Sequence, residues 1–181
     1  MFRILIILIL TFPLFGQNGW TGWSGWRDFD PAVSTGPDTT FGPELFANDQ
    51  FTNWTSDNPD NWTYTGAAEA PGDTVTENPT GVCQFIASGS QNVQIDQNIG
   101  LVQGETYKLT IKIDSFTGRF QYGQVGGPFI TLVAASVGTG VKSFTYTPTG
   151  ANPSFRFKRE NLQAVNIKMD WVSIRKIESI N

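Results

Sequence analysis

TYKLTIKID, Thr106 to Asp114, decides the fold. Tyr107, Leu109, Ile111 and Ile113 alternate with Lys108, Thr110, Lys112 and Asp114. A period of two sends successive side chains to opposite faces of an extended chain, one apolar and one solvated or ligand-facing. A helix would repeat a face at three and four residues instead. The alternation recurs downstream. RFQYGQV (119–125) sets Phe120 and Tyr122 on one face and Arg119 and Gln121 on the other. VKSFTYTPTG (141–150) keeps Phe144 and Tyr146 in phase, and SFRFK (154–158) turns Phe155 and Phe157 inward and Arg156 and Lys158 outward. PFITLVA (128–134) is uniformly apolar and reads as a central strand.

The last run, AVNIKMDWVSIRKI (164–177), slips. Val165, Ile167 and Met169 alternate, then Val172 and Ile174 resume one residue late. A one-residue slip is what a β-bulge produces, and it pushes Asp170 or Trp171 out of the in–out pattern. Nine or ten short strands between turn clusters, with almost no helix signal, predict an all-β chain: an antiparallel two-sheet jelly-roll sandwich.

Upstream the composition changes. Residues 4–15 are almost unbroken apolar after the positive Arg3, a run of twelve, against the roughly twenty needed to cross a bilayer. This reads as a signal peptide over 1–16, cleaved after Gly16. It implies a secreted chain, extracellular or periplasmic, without a transmembrane span after cleavage. Residues 17–43 read as a tether and extended linker, and 44–181 as the jelly-roll domain. In NGWTGWSGW (18–26), Trp20, Trp23 and Trp26 follow one another at three-residue spacing. That spacing lines them along one edge of a polyproline-type helix. Such an apolar ladder calls for a docking partner, and contact with protein, including self-association or assembly through 18–26, is favoured over a glycan.

Several chemistries are excluded by composition. The chain has no histidine, so Ser-His-Asp and Cys-His catalysis and histidine metal sites are absent. No Walker loop or dinucleotide fingerprint occurs. The acids are scattered through loops, so no catalytic carboxylate pair can be placed, and the chain is read as not an enzyme. The one cysteine, Cys83, sits in the apolar run GVCQFIA and reads as a buried thiol. A net charge of -4 argues against nucleic acid. Between Gln17 and Tyr107 there are twelve acids and one base, Arg27, whereas from Lys108 onward there are ten bases and four acids. In a sandwich of interleaved early and late strands this asymmetry becomes internal complementarity.

The order of motifs resembles the carbohydrate-binding modules of families four and nine, within the galactose-binding-like jelly rolls. ELFANDQFTNW (44–54) is similar to that family's first strand, and DNWTY (60–64) places Trp62 where its next strand begins. IDQNIGLVQGETYKLTIKID (95–114) is similar to its middle hairpin, with Gln97, Gly104, Thr106 and Tyr107 in place. KSFTYTPTG (142–150) and IKMDWVSIRKI (167–177) resemble its later strands. The resemblance covers about Glu44 to Ile177. It implies a non-catalytic module that binds poly- or oligosaccharides. The alternative is a virion or cell-surface structural or adhesion protein that uses the jelly roll and the Trp-rich N-terminal segment for assembly, a reading that a signal peptide disfavours for a virion protein. The resemblance also implies a structural calcium held by Asp170 with Asp49 compensating, since the usual first-strand acid is Thr52 here; otherwise Asp170 simply caps the bulge.

A sugar needs an aromatic face and directional polar groups. Trp54, in a loop-like stretch, is the first candidate, followed by Tyr64, Arg119, Gln121 and Tyr122. Tyr122 shares the parity of Phe120, so core and cleft are both open to it.

Overall fold

The computed structural model describes residues 39–64, 72–88 and 92–178. The signal segment and the Trp20, Trp23 and Trp26 ladder lie outside the described residues. The fold is all-β, a jelly-roll sandwich. Its strands are β1 (Thr40–Phe41), β2 (Trp54–Thr55), β3 (Asn58–Pro59), β4 (Thr63–Tyr64), β5 (Asp73–Glu77), β6 (Cys83–Ala87), β7 (Gln94–Asn98), β8 (Tyr107–Gln124), β9 (Phe129–Val133), β10 (Gly140–Tyr146), β11 (Ser154–Arg159) and β12 (Val165–Glu178). A single helical turn, α1 (Ala134–Val137), follows β9. Strand pairing starts at Thr40, inside the segment read as linker. Among the described residues no helix is long and apolar enough to cross a membrane.

Two long strands organise the molecule. β8 is one strand of 18 residues where the sequence suggests two. Its first half lies between β10 and β12. Its second half, from Arg119, lies between β11 and β9. Sheet I is therefore β5-β6-β12-β8-β10, with β1 on the end of β12, and sheet II is β4-β7-β11-β8-β9. Every pairing is antiparallel. The strand passes from one sheet to the other through Gly118, at φ 81°. A Cβ there would stand 1.9 Å from the Ala164 carbonyl oxygen, so the corner requires glycine.

Between the sheets the alternating residues meet as expected. Phe85 of sheet I packs edge-on against Phe120 of sheet II at 4.9 Å between centroids. Tyr146 of β10 meets Phe155 of β11 at 5.6 Å. Leu109, Ile111, Ile113, Ile167, Val172 and Ile174 are fully buried. Each such side chain contributes about 1.5–3 kcal/mol. Cys83 is buried among them, and burial pushes its thiol up.

PFITLVA does not form a central strand. β9 pairs with β8 alone and is the edge of sheet II, with Ile130 40% exposed. Its uniform apolarity mimics a doubly buried strand. Leu132 enters the core, while Val133 and Ala134 border a surface cavity beside the corner of β8.

Candidate functional site

The solvent-facing side of sheet II carries two rows of polar side chains across β7, β11, β8 and β9. The register aligns Asp96, Arg156, Gly123 and Phe129 in one row. It aligns Gln94, Lys158, Gln121 and Thr131 in the next. Period-two alternation puts them there, because Phe155, Phe157, Phe120 and Tyr122 take the inward positions between them.

The side chains hold one another. Gln121 Nε2 donates to Thr131 Oγ1 at 2.9 Å, and Thr131 Oγ1 donates to Glu160 Oε1 at 3.2 Å. Glu160 also receives the Arg119 guanidinium, whose NH2 donates to Oε1 at 3.1 Å. Arg156 grips Asp96 with two parallel bonds. Lys158 Nζ stands over the Phe129 ring, 4.2 Å from its centroid. Burial, and then the neighbouring Arg156 charge, lower the Lys158 pKa. Gly123 lets Phe129 come close: a Cβ would meet the Pro128 carbonyl oxygen at 2.7 Å. Beside Arg119 the face runs into a cavity of about 670 Å³ bordered by Phe116, Val133, Ala134 and Ala164.

This arrangement is pre-set for hydroxyl recognition. Amide, hydroxyl, guanidinium and ammonium groups lie on a rigid sheet beside one aromatic ring, so little side-chain entropy remains to be lost on binding. Both carboxylates of the face, Asp96 and Glu160, are held by guanidinium groups.

Of the residues expected to bind, the structure brings Arg119 and Gln121 together here. Tyr122 is 1% exposed, stacked against Phe155 at 6.1 Å, and belongs to the core. Its phase with Phe120 decides between core and cleft. Trp54 sits in the small β2–β3 hairpin, half-buried against the core, with its indole N–H donating to the Phe51 carbonyl at 2.5 Å. Tyr64 also packs against the core, from the end of sheet II. Phe129, Thr131 and Glu160 were not foreseen as site residues. The parity of Arg156 and Lys158 with Gln121 across the sheet was the signal that could have grouped them.

Asp170 is in β12 of sheet I, and Asp49 is in the 47–50 turn that bonds to the same strand. The Asp49 carbonyl accepts the Val172 N–H at 2.9 Å, and its carboxylate takes the Gln50 amide at 3.1 Å. Asp170 faces the charge of Lys112, whose ammonium bonds Asp114 at 2.7 Å. Among the described residues no three His, Cys, Asp or Glu side chains gather to hold a metal. Calcium takes six to eight oxygens. Asp49 and Asp170 by themselves supply too few, so a calcium held here would draw most of its ligands from other oxygens.

No family model and no curated protein matches the sequence. Among solved structures, the chain is similar to BiXyn10A CBM1 in its apo form, at 17% identity and TM-score 0.50, over 75% of this chain and 98% of that one. It is also similar to a CBM4 structure (22% identity, TM-score 0.41, 72% and 98% coverage). A third is a variant of CBM29-2, a family 29 carbohydrate-binding module, complexed with mannohexaose (12%, 0.43, 76% and 92%). The likeness to the first of these is one of fold alone, a jelly-roll sandwich.

Proposed function

We propose that the chain is a secreted, non-catalytic carbohydrate-binding module whose sheet II face takes a poly- or oligosaccharide. One observation carries this reading: the hydrogen-bonded line from Gln121 through Thr131 and Glu160 to Arg119, alongside Lys158 and Phe129 on one solvent-facing sheet. A sugar ring takes the face of Phe129 that Lys158 covers, drawing the ammonium onto its hydroxyls beside the amide and the guanidinium. Such groups discriminate sharply, since each left without a partner in a complex costs about 1–3 kcal/mol.

Affinity electrophoresis in gels loaded with soluble polysaccharides, followed by titration calorimetry, tests it. Phe129→Ala and Lys158→Ala each weaken binding about tenfold, or about 1.4 kcal/mol. Retention by none of a broad glycan set, with the fold intact by circular dichroism, sinks the reading.

A further inference from the structure

The opposite face of the sandwich carries a second constellation, built by the bulge in β12. Met169 pairs with Ile113 and Trp171 pairs with Lys112, so Asp170 has no partner in the ladder. Met169 and Val172 are both fully buried. Without the extra residue, Trp171 would share the inward parity of Met169. With it, the indole turns outward, beside Thr110, Ser173 and Arg175.

These residues floor a groove of two joined hollows. One, of about 310 Å³, is walled by Glu44, Asp49, Gln50 and Trp171. The other, of about 190 Å³, is walled by Phe41 and Lys108. Thr110, Ser173 and Arg175 line both. Trp171 marks one end and Phe41, 39% exposed, the other. Four residues of strand separate Trp171 from Arg175, about 13 Å of floor.

Two features identify the occupant. First, the Trp171 indole N–H has no acceptor among the described residues and lies outside the core, whereas that of Trp54 is bonded and that of Trp62, likewise without an acceptor, is shut inside the core. An indole with a free N–H offers a ring for stacking and a donor at its edge. Second, the lining charges cancel: Arg175 and Lys108 face Glu44 and Asp49. Arg175 is paired with Glu44 at 3.4 Å, and Lys108 lies over the Phe41 ring at 4.9 Å. A balanced groove suits a neutral polyhydroxylated chain better than a polyanion or a cationic peptide.

We infer that this groove is a second glycan site for a neutral oligosaccharide, stacked on Trp171 and hydrogen-bonded by Gln50, Asp49 and Arg175. The inference rests on the reading of sheet II as a glycan face for its consequence alone. Two sites on opposite sheets bind two chains, so one domain cross-links a polysaccharide.

The test is calorimetry of the full mature chain with cellohexaose, mannohexaose and xylohexaose, plus turbidity with the matching polysaccharides. Two molar equivalents and turbidity are expected. Trp171→Ala and the milder Gln50→Ala, each checked for an unchanged melting temperature, reduce the count to one and abolish turbidity. Arg119→Ala with Lys158→Ala removes the other equivalent. One equivalent that survives both groove variants and is lost with the sheet II variants overturns the second site. One equivalent lost with Trp171→Ala and indifferent to the sheet II variants supports the groove and overturns the sheet II reading. Binding of none of the three probes overturns both.

Discussion

Gln97 and Gln124 do the same work at two places on sheet II. The Gln97 carboxamide accepts the Ala47 N–H at 2.9 Å and donates to the Ala47 and Asn61 carbonyls at 2.9 and 3.0 Å. The Gln124 carboxamide accepts the Gly150 N–H at 2.9 Å and donates to the Gly150 carbonyl at 2.8 Å and to that of Asn152. Each amide replaces a missing strand, satisfying both backbone groups of one loop residue and a carbonyl of another. Gln124→Ala leaves three such groups without partners beside the core and is expected to cost about 2–3 kcal/mol. Gln124→Glu should be no better, because a carboxylate donates nothing and faces two carbonyls. Urea midpoints measure both, and a loss under about 0.5 kcal/mol, the limit of neutral surface changes, counts against the clamp. Neither role was legible in the sequence. The partners lie 26 to 50 residues away, and alternation says which way a glutamine points, not what waits there. A second residue-scale expectation concerns Lys158. Its lowered pKa means that it loses charge at a lower pH than an ordinary lysine. Glycan affinity on sheet II should therefore decline with rising pH ahead of the usual lysine range near 10.4. Lys158→Arg should remove that decline, and an unchanged profile in this variant excludes Lys158 as its source.

At the scale of elements, the bulge was legible and the corner was not. A phase slip is a local sum over side-chain types, so Val165 to Ile174 disclosed it unaided. It was matched by a second slip in β8, where Ser115 pairs with Lys168 and Ile113 with Met169, leaving Asp114 out. Asp114 and Asp170 thus flank one ladder pair, with Lys112 close to both. We propose that Asp170 serves the bulge within β12 and holds no metal. Added calcium or a chelator should leave the melting temperature within about 1 °C, well under the ~2–4 °C that 1 kcal/mol would move a domain of this size. A calcium-dependent rise of several degrees disproves it. SFTG, by contrast, looks like a turn between two strands, because Gly118 breaks the alternation. The ladders with β12 continue through it, and the Ala164 carbonyl accepts the Arg119 N–H at 3.2 Å. Gly118→Ala meets both the left-handed backbone and the Ala164 carbonyl. It is expected to abolish cooperative folding or cost more than about 2 kcal/mol, read from thermal unfolding.

At the scale of the whole molecule, the lopsided charge map resolves into pairing across the fold. Late Arg175, Lys176, Arg156 and Arg159 meet early Glu44, Glu105, Asp96 and Asp73. Among the described residues only the Asp73–Arg159 pair is fully buried. The exposed pairs each contribute ~0–1 kcal/mol, so they order the strands more than they stabilise them. The groups that tie stability to pH are instead buried acids: the Cys83 thiol, raised by burial, and two core tyrosines. Burial, and then the proximity of Tyr146, push Tyr122 up to about 12. Burial also raises Tyr146, against the opposing hydrogen bond from the Gln124 N–H. In the unfolded chain both titrate near 10. Below that pH both are protonated in either state and their full contribution is present. Above it the unfolded chain gives up protons that the folded chain retains, so stability falls as pH rises towards the folded values. The slope for one such group approaches 1.36 kcal/mol per pH unit, an order-of-magnitude figure for about one proton. Urea denaturation between pH 9 and pH 11 should therefore show a steep loss, and Tyr122→Phe should flatten it while changing little at pH 7. Parallel curves for the two proteins would show that the alkaline limit comes from other groups, the buried Cys83 thiol first among them, and not from Tyr122.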